Sequence, residues 1–310
     1  MKYSFVLPAY KSRFLKDAID SILSQSYKDF ELIIVNDASP DDIDAIVRYY
    51  NDDRIKYYKN TDNLGGKSLV KQWNYSISLT DSEYIILASD DDLYDPRYLE
   101  SIDKLVERYP QVSVFRPRVQ YVDEYNNIIR FDGILKEWNS CLDFWYSWVR
   151  GWIGSGIPFY VFKRQSLLNV GGFANYPLAW FSDDSTILRL SREGIVFTPD
   201  ILFSFRLSTI NITSRKNSYK DLLQKINATE LFYQEVSRFI KELNVEDEYQ
   251  SCLSNNIQRK LPKFLQEDKL RMQIFNSSNV TVLRLLPKVL TLSFVSTKLI
   301  MRYYLSHFIH

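Results

Sequence analysis

Three consecutive aspartates, Asp90, Asp91 and Asp92, follow the apolar segment 84–88. Adjacent carboxylates repel one another and resist desolvation, so either a positive partner offsets the repulsion or the cluster lies in water. Mg²⁺ and Mn²⁺ prefer oxygen ligands, and they typically bind one or two carboxylates together with substrate phosphates. The cluster is therefore a candidate metal site for a phosphorylated substrate, or else the source of a general acid or base.

A structural explanation of the same aspartates stays open. Charge runs are usually solvated, and Asp95, which precedes Pro96, is well placed to cap a helix. A further carboxylate, Asp37, follows another apolar segment. Its presence at a second predicted strand end favours the metal site over the solvated loop.

A second acidic pair, Asp183 and Asp184, stands before the helical pattern of residues 185–194. One of the two could act as a catalytic base within hydrogen-bond reach of a substrate hydroxyl. Acidic residues in the first turn of a helix are also stabilised by its dipole. A single aspartate could fill both roles.

Strands and helices alternate over the first 120 residues. Short apolar runs predict buried strands, and helically spaced apolar residues predict the segments between them. The predicted strands are 3–7, 30–35, 54–58 and 84–88, and the predicted helices include 14–26, 67–79 and 96–108. This alternation predicts a parallel sheet covered on both faces, which binds its ligand at the carboxyl ends of the strands. The residues after the strands should therefore meet at one edge, and the segment 63–66 is predicted to be a loop.

Composition excludes several classes of protein. A chain of 310 residues forms one large domain or two ordinary ones. Its formal net charge of +1 gives no basis for nucleic-acid binding. The two cysteines have no metal-binding spacing and predict neither a disulfide framework nor an oxidising compartment. The first residues predict a buried strand rather than a signal peptide, and the expected location is the cytoplasm.

The last third of the chain is different in character. Composition changes near Ser214–Ser218, and the following residues, 216–310, are predicted to be helical. The tail 282–310 is apolar with recurring basic residues, and no acidic residue follows Asp268. This pattern suits either packing on the catalytic domain that precedes it or attachment to an anionic membrane surface. Pro287 and Lys298 interrupt the run, so no spanning helix is predicted.

The order VLPAY, FELIIVNDASPDD, NLGG and YIILASDDD resembles glycosyltransferase family 2, whose members are GT-A-fold enzymes that use nucleotide-sugars. The resemblance covers roughly residues 1–210. It implies an α/β, Rossmann-like fold with a mostly parallel central sheet and helices on both faces. The implied domains are a catalytic domain, 1–215, with a nucleotide-sugar-binding half, 1–120, an acceptor-binding half, 121–215, and a C-terminal helical region, 216–310.

The resemblance also implies roles for individual residues. The D-x-D metal motif of the family falls on Ser89-Asp90-Asp91, where Ser89 departs from the usual aspartate. Asp91 and Asp92 then match the ligands of a divalent metal, Mn²⁺ or Mg²⁺, while another register would use Asp90 and Asp92. The implied nucleotide-binding residues are Pro8, Ala9, Tyr10, Asp37, Asn63, Gly65, Gly66, Lys71, Asp90 and Arg206.

The catalytic residues follow from the same resemblance. Asp183 matches the catalytic base, with Asp184 close behind and Ser182 where a glutamate is common. The acceptor candidates are Gly154 and Ser155, where the chain permits close backbone approach, and Trp152 and Trp180, which could stack on sugar rings or belong to the core. Trp145 and Trp148 are further candidates for stacking on sugar rings.

Together these features predict an inverting, metal-dependent glycosyltransferase. It would move a sugar from a nucleotide-sugar, a UDP-sugar by family frequency, to a growing glycan. The expected pathway is surface polysaccharide (capsule or O-antigen) synthesis, with a lipid-linked acceptor at the inner face of the cytoplasmic membrane. One alternative is a nucleotide-binding protein that has lost catalysis, which the serines at 89 and 182 would suit. Another is a nucleotidyltransferase, although no G-x-x-x-x-G-K-[ST] loop is present.

Overall fold

A computed structural model describes most of the chain. The described residues are 1–208, 217–245, 247–271, 273, 279–297, 300–302 and 304–305. They fall into two units. The first comprises residues 1–144, 153–175 and 182–208, and the second comprises 145–152, 176–181 and the described residues beyond 208. The predicted change of character near Ser214–Ser218 lies mostly in 209–216, outside the described residues.

The first unit is built on one mixed sheet of ten strands. The strands are β1 (Tyr3–Ala9), β2 (Phe30–Asn36), β3 (Ile55–Lys59), β4 (Tyr84–Leu87), β5 (Leu93–Tyr94), β6 (Val114–Val122), β7 (Ile128–Phe131), β8 (Trp138–Asn139), β9 (Val161–Lys163) and β10 (Ile195–Arg206). Their order is β3-β2-β1-β4-β9-β6-β10-β5, while β7 pairs with β6 and β8 pairs with β10.

Helices connect these strands. They are α1 (Leu15–Leu23), α2 (Ile43–Arg48), α3 (Leu64–Lys67), α4 (Leu69–Ile77), α5 (Tyr98–Arg108), α6 (Cys141–Val149), α7 (Arg164–Asn169) and α8 (Ser182–Leu190). In α1 the buried residues Leu15, Ala18, Ile19 and Ile22 lie on one face. This spacing of three and four residues is the one that predicted the helix.

The parallel part of the sheet confirms the sequence prediction. β1 pairs in parallel with β2 and β4, and β2 pairs in parallel with β3. β2 and β4 are buried along their whole length. Such continuous burial explains their unbroken apolar sequence, since both faces of a parallel sheet are covered. The three segments that follow β1, β2 and β4 therefore leave the same edge of the sheet.

The later strands make the sheet mixed. β9 lies between β4 and β6 and is antiparallel to both. β10 runs parallel to β6 but antiparallel to β5 and β8. β6 and β10 thus form a second parallel pair. Among the described strands, β9 connects this pair to β4 and the first parallel strands.

Two local predictions need correction. The segment 63–66 is not a loop, because Asn63 caps the short helix α3 and accepts a hydrogen bond from the Gly66 amide. Asp95 does not cap α5, whose N-cap residue is Arg97. The Asp95 carboxylate instead accepts from the Arg97 backbone amide at 2.9 Å and pairs with its guanidinium.

The second unit is helical, as predicted for the C-terminal region. Its longer helices are α9 (Tyr219–Glu242), α10 (Glu248–Phe264) and α11 (Asn279–Val289), and a π-helical stretch, Leu265–Leu270, continues α10. α9 begins with a capping box in which Ser218 and Asp221 bind each other's backbone amides.

An aromatic core holds this unit together. Trp145 and Trp148 are buried and contact the Phe232 ring, which stacks on Phe181 at 4.5 Å. Phe264 packs on Trp148 at the same centroid distance, 4.5 Å. The suggestion that Trp145 and Trp148 stack on sugars is therefore wrong, because both rings are buried in this aromatic core.

The tail packs through part of its apolar sequence. Leu285, Val289, Leu292 and Phe294 are buried, whereas Leu283 is exposed. The Phe294 ring contacts Tyr233 of α9, 5.2 Å between centroids. These contacts lie within the helical unit, so packing on the catalytic domain and attachment to a membrane both stay predictions. Residues 298–299, 303 and 306–310 lie outside the described residues. No helix in the described part of the chain is both long and apolar enough to cross a membrane.

Candidate active site

The aspartate cluster lies at the end of β4, in the middle of the sheet. Asp90, Asp91 and Asp92 are all buried. Asp90 is fixed by the segment after β1, since its Oδ2 accepts from the backbone amides of Tyr10 at 3.0 Å and Lys11 at 2.8 Å. The structure thus brings together the two strand ends that the sequence predicted to meet.

Lys11 supplies the positive partner of the cluster. Its Nζ lies 3.1 Å from Asp91 Oδ2 and 3.4 Å from Asp90 Oδ1. Burial alone would lower the pKa of Lys11, but the two carboxylates outweigh burial and raise it above 10.5. Lys11 is therefore a cation that the sequence analysis did not single out.

Asp90 and Asp92 are costly to ionise. Burial raises the pKa of Asp90, and the charge of Lys11 offsets this only in part. The pKa of Asp92 lies well above its ordinary value, because the side chain is buried and the Asp91 carboxylate repels its charge. Both carboxyl groups would be stabilised in their charged form by an additional cation.

Arg206, at the end of β10, orders the cluster from the other side. Its backbone amide donates to Asp92 Oδ1 at 2.9 Å, and its Nε donates to the Asp91 carbonyl at 2.8 Å. The guanidinium is buried and packs over the Phe14 ring at 4.3 Å. Arg206 therefore positions the aspartate loop, and this placement favours a supporting role over the direct phosphate contact that the resemblance implied.

The donor groups suit a divalent cation held together with a ligand. Asp92 Oδ2 is buried and has no hydrogen-bond partner within the described residues. The Asp91 carboxylate pairs with the Lys11 side chain, which is its one hydrogen-bond partner among the described residues. No three His, Cys, Asp or Glu side chains converge as a metal cage in the described part of the chain. The cluster thus fits attachment through one or two carboxylates, with substrate phosphates completing the shell.

Asp37 ties the end of β2 to α3. Its Oδ1 accepts from Asn60 Nδ2 at 2.7 Å and from the Leu64 amide at 2.8 Å, and its Oδ2 accepts from the Gly65 amide at 2.7 Å. The backbone amide of Asp37 donates to the Ala9 carbonyl at 3.0 Å. A β-carbon at Gly65 would lie only 2.8 Å from the carboxylate, so this close approach requires glycine.

The remaining nucleotide candidates lie on the same segments. Pro8 is near the end of β1, paired with Val35 of β2. Lys71 is exposed in the first turn of α4, and its amide donates to the Ser68 side chain. Its ammonium group faces solvent, which leaves the predicted phosphate contact untested.

Asp183 and Asp184 occupy the first turn of α8. Asp183 is half-buried and its Oδ1 accepts from the Asp184 amide at 3.0 Å, whereas Asp184 is buried. Phe181, just before the helix, has a φ of 67°, a left-handed conformation that is uncommon for an aromatic residue. Asp183 is thus the more accessible carboxylate of the two.

A buried ion pair surrounds Gly154. Asp132 pairs with Arg116, whose side chain is 0% exposed against 1% for Asp132. Asp132 Oδ1 accepts from the Gly154 amide at 3.0 Å, and Arg116 donates to the Gly154 carbonyl at 2.9 Å. The Tyr121 hydroxyl also donates to Asp132 at 3.2 Å. Both polar backbone groups of Gly154 are therefore held by the same ion pair.

Tyr160 extends this network towards α8. Arg116 donates to the Tyr160 hydroxyl at 3.1 Å. Burial raises the pKa of Tyr160 to about 12, Arg116 and Ser155 oppose the rise, and the charge of Asp184 adds to it. Arg116 thus holds both the Gly154 carbonyl and the Tyr160 hydroxyl.

Trp152 and Trp180 belong to the second unit. Trp152 is 50% exposed, and its ring contacts Tyr146 edge-on at 5.8 Å. Trp180 is half-buried beneath the ammonium of Lys225, 4.6 Å from the ring centroid. Trp152 thus offers a ring face to solvent, and the stacking role predicted for both residues stays a prediction.

Sequence signals for the missed residues exist in two cases. Lys11 directly follows Tyr10 at a strand end, where a cation would offset an acidic cluster. Arg116 interrupts the apolar strand β6, and a charge inside a buried strand requires a counter-ion. Nothing in the sequence identifies that counter-ion as Asp132.

Comparison with known proteins agrees with this architecture. The family model "Glycosyl transferase family 2" matches residues 4–164, more than half of the chain. The putative glycosyltransferase EpsE of Bacillus subtilis is 36% identical over 128 residues, which cover 40% of this chain and 45% of EpsE. The chain spans less than half of several curated relatives that it matches, from 21% to 45% of their length.

Solved structures show the same fold. TarS of S. aureus, residues 1–349 in complex with UDP-GlcNAc, superposes with a TM-score of 0.68 at 15% identity, covering 99% of this chain and 89% of TarS. The mannosyltransferase PcManGT of Pyrobaculum calidifontis, in complex with GDP-Man and Mn²⁺, gives 0.53 at 14% identity, with 99% and 86% coverage. The predicted GT-A fold is thus confirmed, and by its sequence the chain belongs to glycosyl transferase family 2.

Proposed function

We propose that this chain is an inverting glycosyltransferase that moves a sugar from a nucleotide-sugar to a hydroxyl group of a growing glycan. The observation that carries the proposal is the aspartate cluster. The Asp90 carboxylate accepts from the backbone amides after β1, and the Asp92 carboxylate accepts from the Arg206 amide. Asp91 accepts from no backbone amide among the described residues, so its carboxylate is the one that would bind a ligand. This arrangement favours Asp91 with Asp92 over the register that uses Asp90.

The proposed donor is a UDP-sugar. The structure of TarS with UDP-GlcNAc supports a nucleotide-sugar, and its fold matches nearly the whole chain. Asp37, Tyr10 and the amides of α3 meet at the strand ends, where ligands of open α/β sheets bind. The Asp37 carboxylate already accepts three hydrogen bonds, so it would fix the shape of this pocket as well as contact the nucleotide.

The proposed metal, Mn²⁺ or Mg²⁺, would be held by Asp91 and Asp92 together with the donor diphosphate. When bound, it would supply electrostatic stabilisation of the leaving diphosphate. Arg206 keeps both aspartates in place, because it donates to the backbone carbonyl of Asp91 and to one carboxylate oxygen of Asp92. PcManGT, solved with Mn²⁺, supports a metal in this fold.

Asp183 is the proposed base. The first turn of α8 stabilises a negative charge through the helix dipole, which keeps the carboxylate ready to accept a proton from the acceptor hydroxyl. A single base without a protein nucleophile gives one displacement, with inversion at the anomeric carbon. Asp184 is buried, so it is less accessible to an acceptor hydroxyl than Asp183 and is better placed to support the site.

The acceptor would be a glycan, lipid-linked in a surface polysaccharide pathway such as capsule or O-antigen synthesis. Gly154, whose backbone amide and carbonyl are held by Asp132 and Arg116, would contact it together with Ser155. The basic tail would hold the protein peripherally at the inner face of the cytoplasmic membrane. Loss of membrane fractionation on deleting residues 280–310 would support this last element, and unchanged fractionation would contradict it.

The test of the donor site is calorimetric binding of UDP, GDP and CDP with and without Mn²⁺. We expect one nucleotide to bind in a metal-dependent way to the wild type. Asp91→Ala should weaken that binding at least about tenfold, the loss typical of damaged metal sites. Asp95→Ala is the matched control, because Asp95 contacts Arg97 at the start of α5 and should leave binding unchanged. Binding that is indifferent to Mn²⁺ and to Asp91 would contradict the proposal.

A further inference from the structure

Lys11 places a cation of the chain itself inside the aspartate cluster. Its side chain is 25% exposed, and its Nζ contacts Asp91 Oδ2 at 3.1 Å and Asp90 Oδ1 at 3.4 Å. Its backbone amide is anchored separately, on Asp90 Oδ2 at 2.8 Å. The ammonium group can therefore move while the backbone of the segment stays fixed.

The ammonium group and a divalent cation require the same carboxylate. Mg²⁺ binds carboxylate oxygens at about 2.1 Å, so an ion on Asp91 would lie within a few ångströms of Lys11 Nζ and repel it. Asp90 offers little relief, since its Oδ2 accepts from the backbone amides of Tyr10 and Lys11. Asp92 uses one oxygen, Oδ1, to accept from the Arg206 amide. The other oxygen of Asp92, Oδ2, is buried and has no hydrogen-bond partner in the described residues.

We propose that Lys11 is the resident counter-ion of the aspartate cluster, which a divalent metal displaces only when the donor diphosphate is present to receive the ammonium group. Lys11 then gates the site: free metal binds weakly, and metal and nucleotide bind together. By linkage, each ligand raises the affinity of the other by the same factor. This inference rests on the proposed function and adds the order in which the ligands assemble.

The test follows Mn²⁺ binding by electron paramagnetic resonance, in which the signal of the free ion falls as the protein binds it. Wild type, Lys11→Met and Lys16→Met are titrated without nucleotide and then with UDP, or with the nucleotide found in the calorimetric panel. Lys16 is the matched control, because its ammonium pairs with Asp20 on the exposed side of α1.

We expect Lys11→Met to bind Mn²⁺ without nucleotide about tenfold more tightly than wild type. A tenfold change corresponds to a wild type in which the Lys11 ammonium occupies the aspartates in about nine-tenths of the molecules. In the same variant, UDP should raise the Mn²⁺ affinity less than in wild type. Lys16→Met should behave as wild type. Lys11→Arg keeps the charge and should keep the weak binding of free Mn²⁺. Lys11→Gln removes the charge but keeps a polar side chain, and it should bind free Mn²⁺ as tightly as Lys11→Met, which covers the case in which Lys11→Met fails to fold.

The outcomes separate the two proposals. Equal Mn²⁺ affinities of wild type and Lys11→Met, both dependent on UDP, would overturn the role of Lys11 and leave the proposed function standing. Stronger Mn²⁺ binding by Lys11→Arg than by wild type would overturn it as well. UDP binding that needs Lys11 but no metal would show that Lys11 replaces the metal permanently, which also contradicts the inference. No nucleotide binding by any variant would instead contradict the proposed function.

Discussion

Replacing Asp132 by asparagine should destabilise the first unit strongly, because it leaves Arg116 without a counter-ion. Both side chains of this pair are almost completely inaccessible to solvent. Removing one partner of a buried ion pair costs about 3–5 kcal/mol, since the remaining charge stays desolvated. Asparagine keeps an oxygen that can accept from the Gly154 amide, so we expect a loss near the lower end, about 3 kcal/mol.

Urea unfolding followed by far-UV circular dichroism measures this loss. Arg108→Met is the matched control, because Arg108 also pairs with a carboxylate, Glu137, but the two side chains are 60% and 39% exposed. Exposed pairs contribute about 0.2–1 kcal/mol, so the control should stay within that range. The double variant Arg116→Met/Asp132→Asn removes both buried charges, and it should cost at least about 1 kcal/mol less than the sum of the single changes.

Two results would refute this reasoning. One is a cost of Asp132→Asn no greater than that of Arg108→Met. The other is strict additivity of Arg116→Met and Asp132→Asn, which would mean that the two charges do not interact. Either result would also remove the explanation of how Gly154 is held.

Two further predictions concern the same unit. Gly154→Ala should lower stability by about 1–3 kcal/mol in thermal melting, because its β-carbon would lie 2.0 Å from the Tyr121 hydroxyl oxygen. Glu31 is buried, which by itself raises its pKa, but hydrogen bonds from Lys56 and two hydroxyl groups outweigh burial and hold the pKa below 4.5. Its stabilising effect should therefore be complete above pH 4.5 and disappear as the pH falls through the lowered pKa, so the stability difference between wild type and Glu31→Gln should shrink in acid.

Each of these predictions has its own control. Tyr121→Phe removes the clashing oxygen and leaves the ring carbon 3.3 Å from the new β-carbon, so it should recover part of the loss in Gly154→Ala. If Tyr121→Phe recovers none of the stability, the loss in Gly154→Ala does not come from the clash with the Tyr121 hydroxyl. For Glu31, a wild-type-minus-variant difference that stays constant from about pH 6 to pH 3 would contradict the lowered pKa.

The parallel half of the sheet was predictable because the signal for each of its strands lies in the strand's own sequence. β2 and β4 are buried on both faces, and this leaves uninterrupted apolar sequence between turn residues. β9 could not be predicted in the same way. It has only three residues, and its place between β4 and β6 depends on pairing with distant strands rather than on its own sequence.

The same distinction between local sequence and tertiary contacts decides which features of the site could be predicted. Tyr10 and Asp90 were expected to meet because both follow strands of one parallel sheet, and they do. α3 was missed because its two glycines oppose helix formation, while the groups that stabilise it are Asn63 and the distant Asp37. The pairing of Arg116 with Asp132 likewise depends on tertiary structure, since only the folded chain brings the two side chains together.

The position of β9 has a consequence for how the protein is made. A nascent chain that has emerged only as far as β6 already contains β1 to β4, but the strand that joins β4 to β6 is still missing. Until residues 161–163 leave the ribosome, β4 presents an unpaired apolar edge, and such edges attract other chains. The two parallel parts of the sheet are therefore joined only when about half of the chain has been made, and until then the free edge of β4 is where a chaperone would protect this polypeptide.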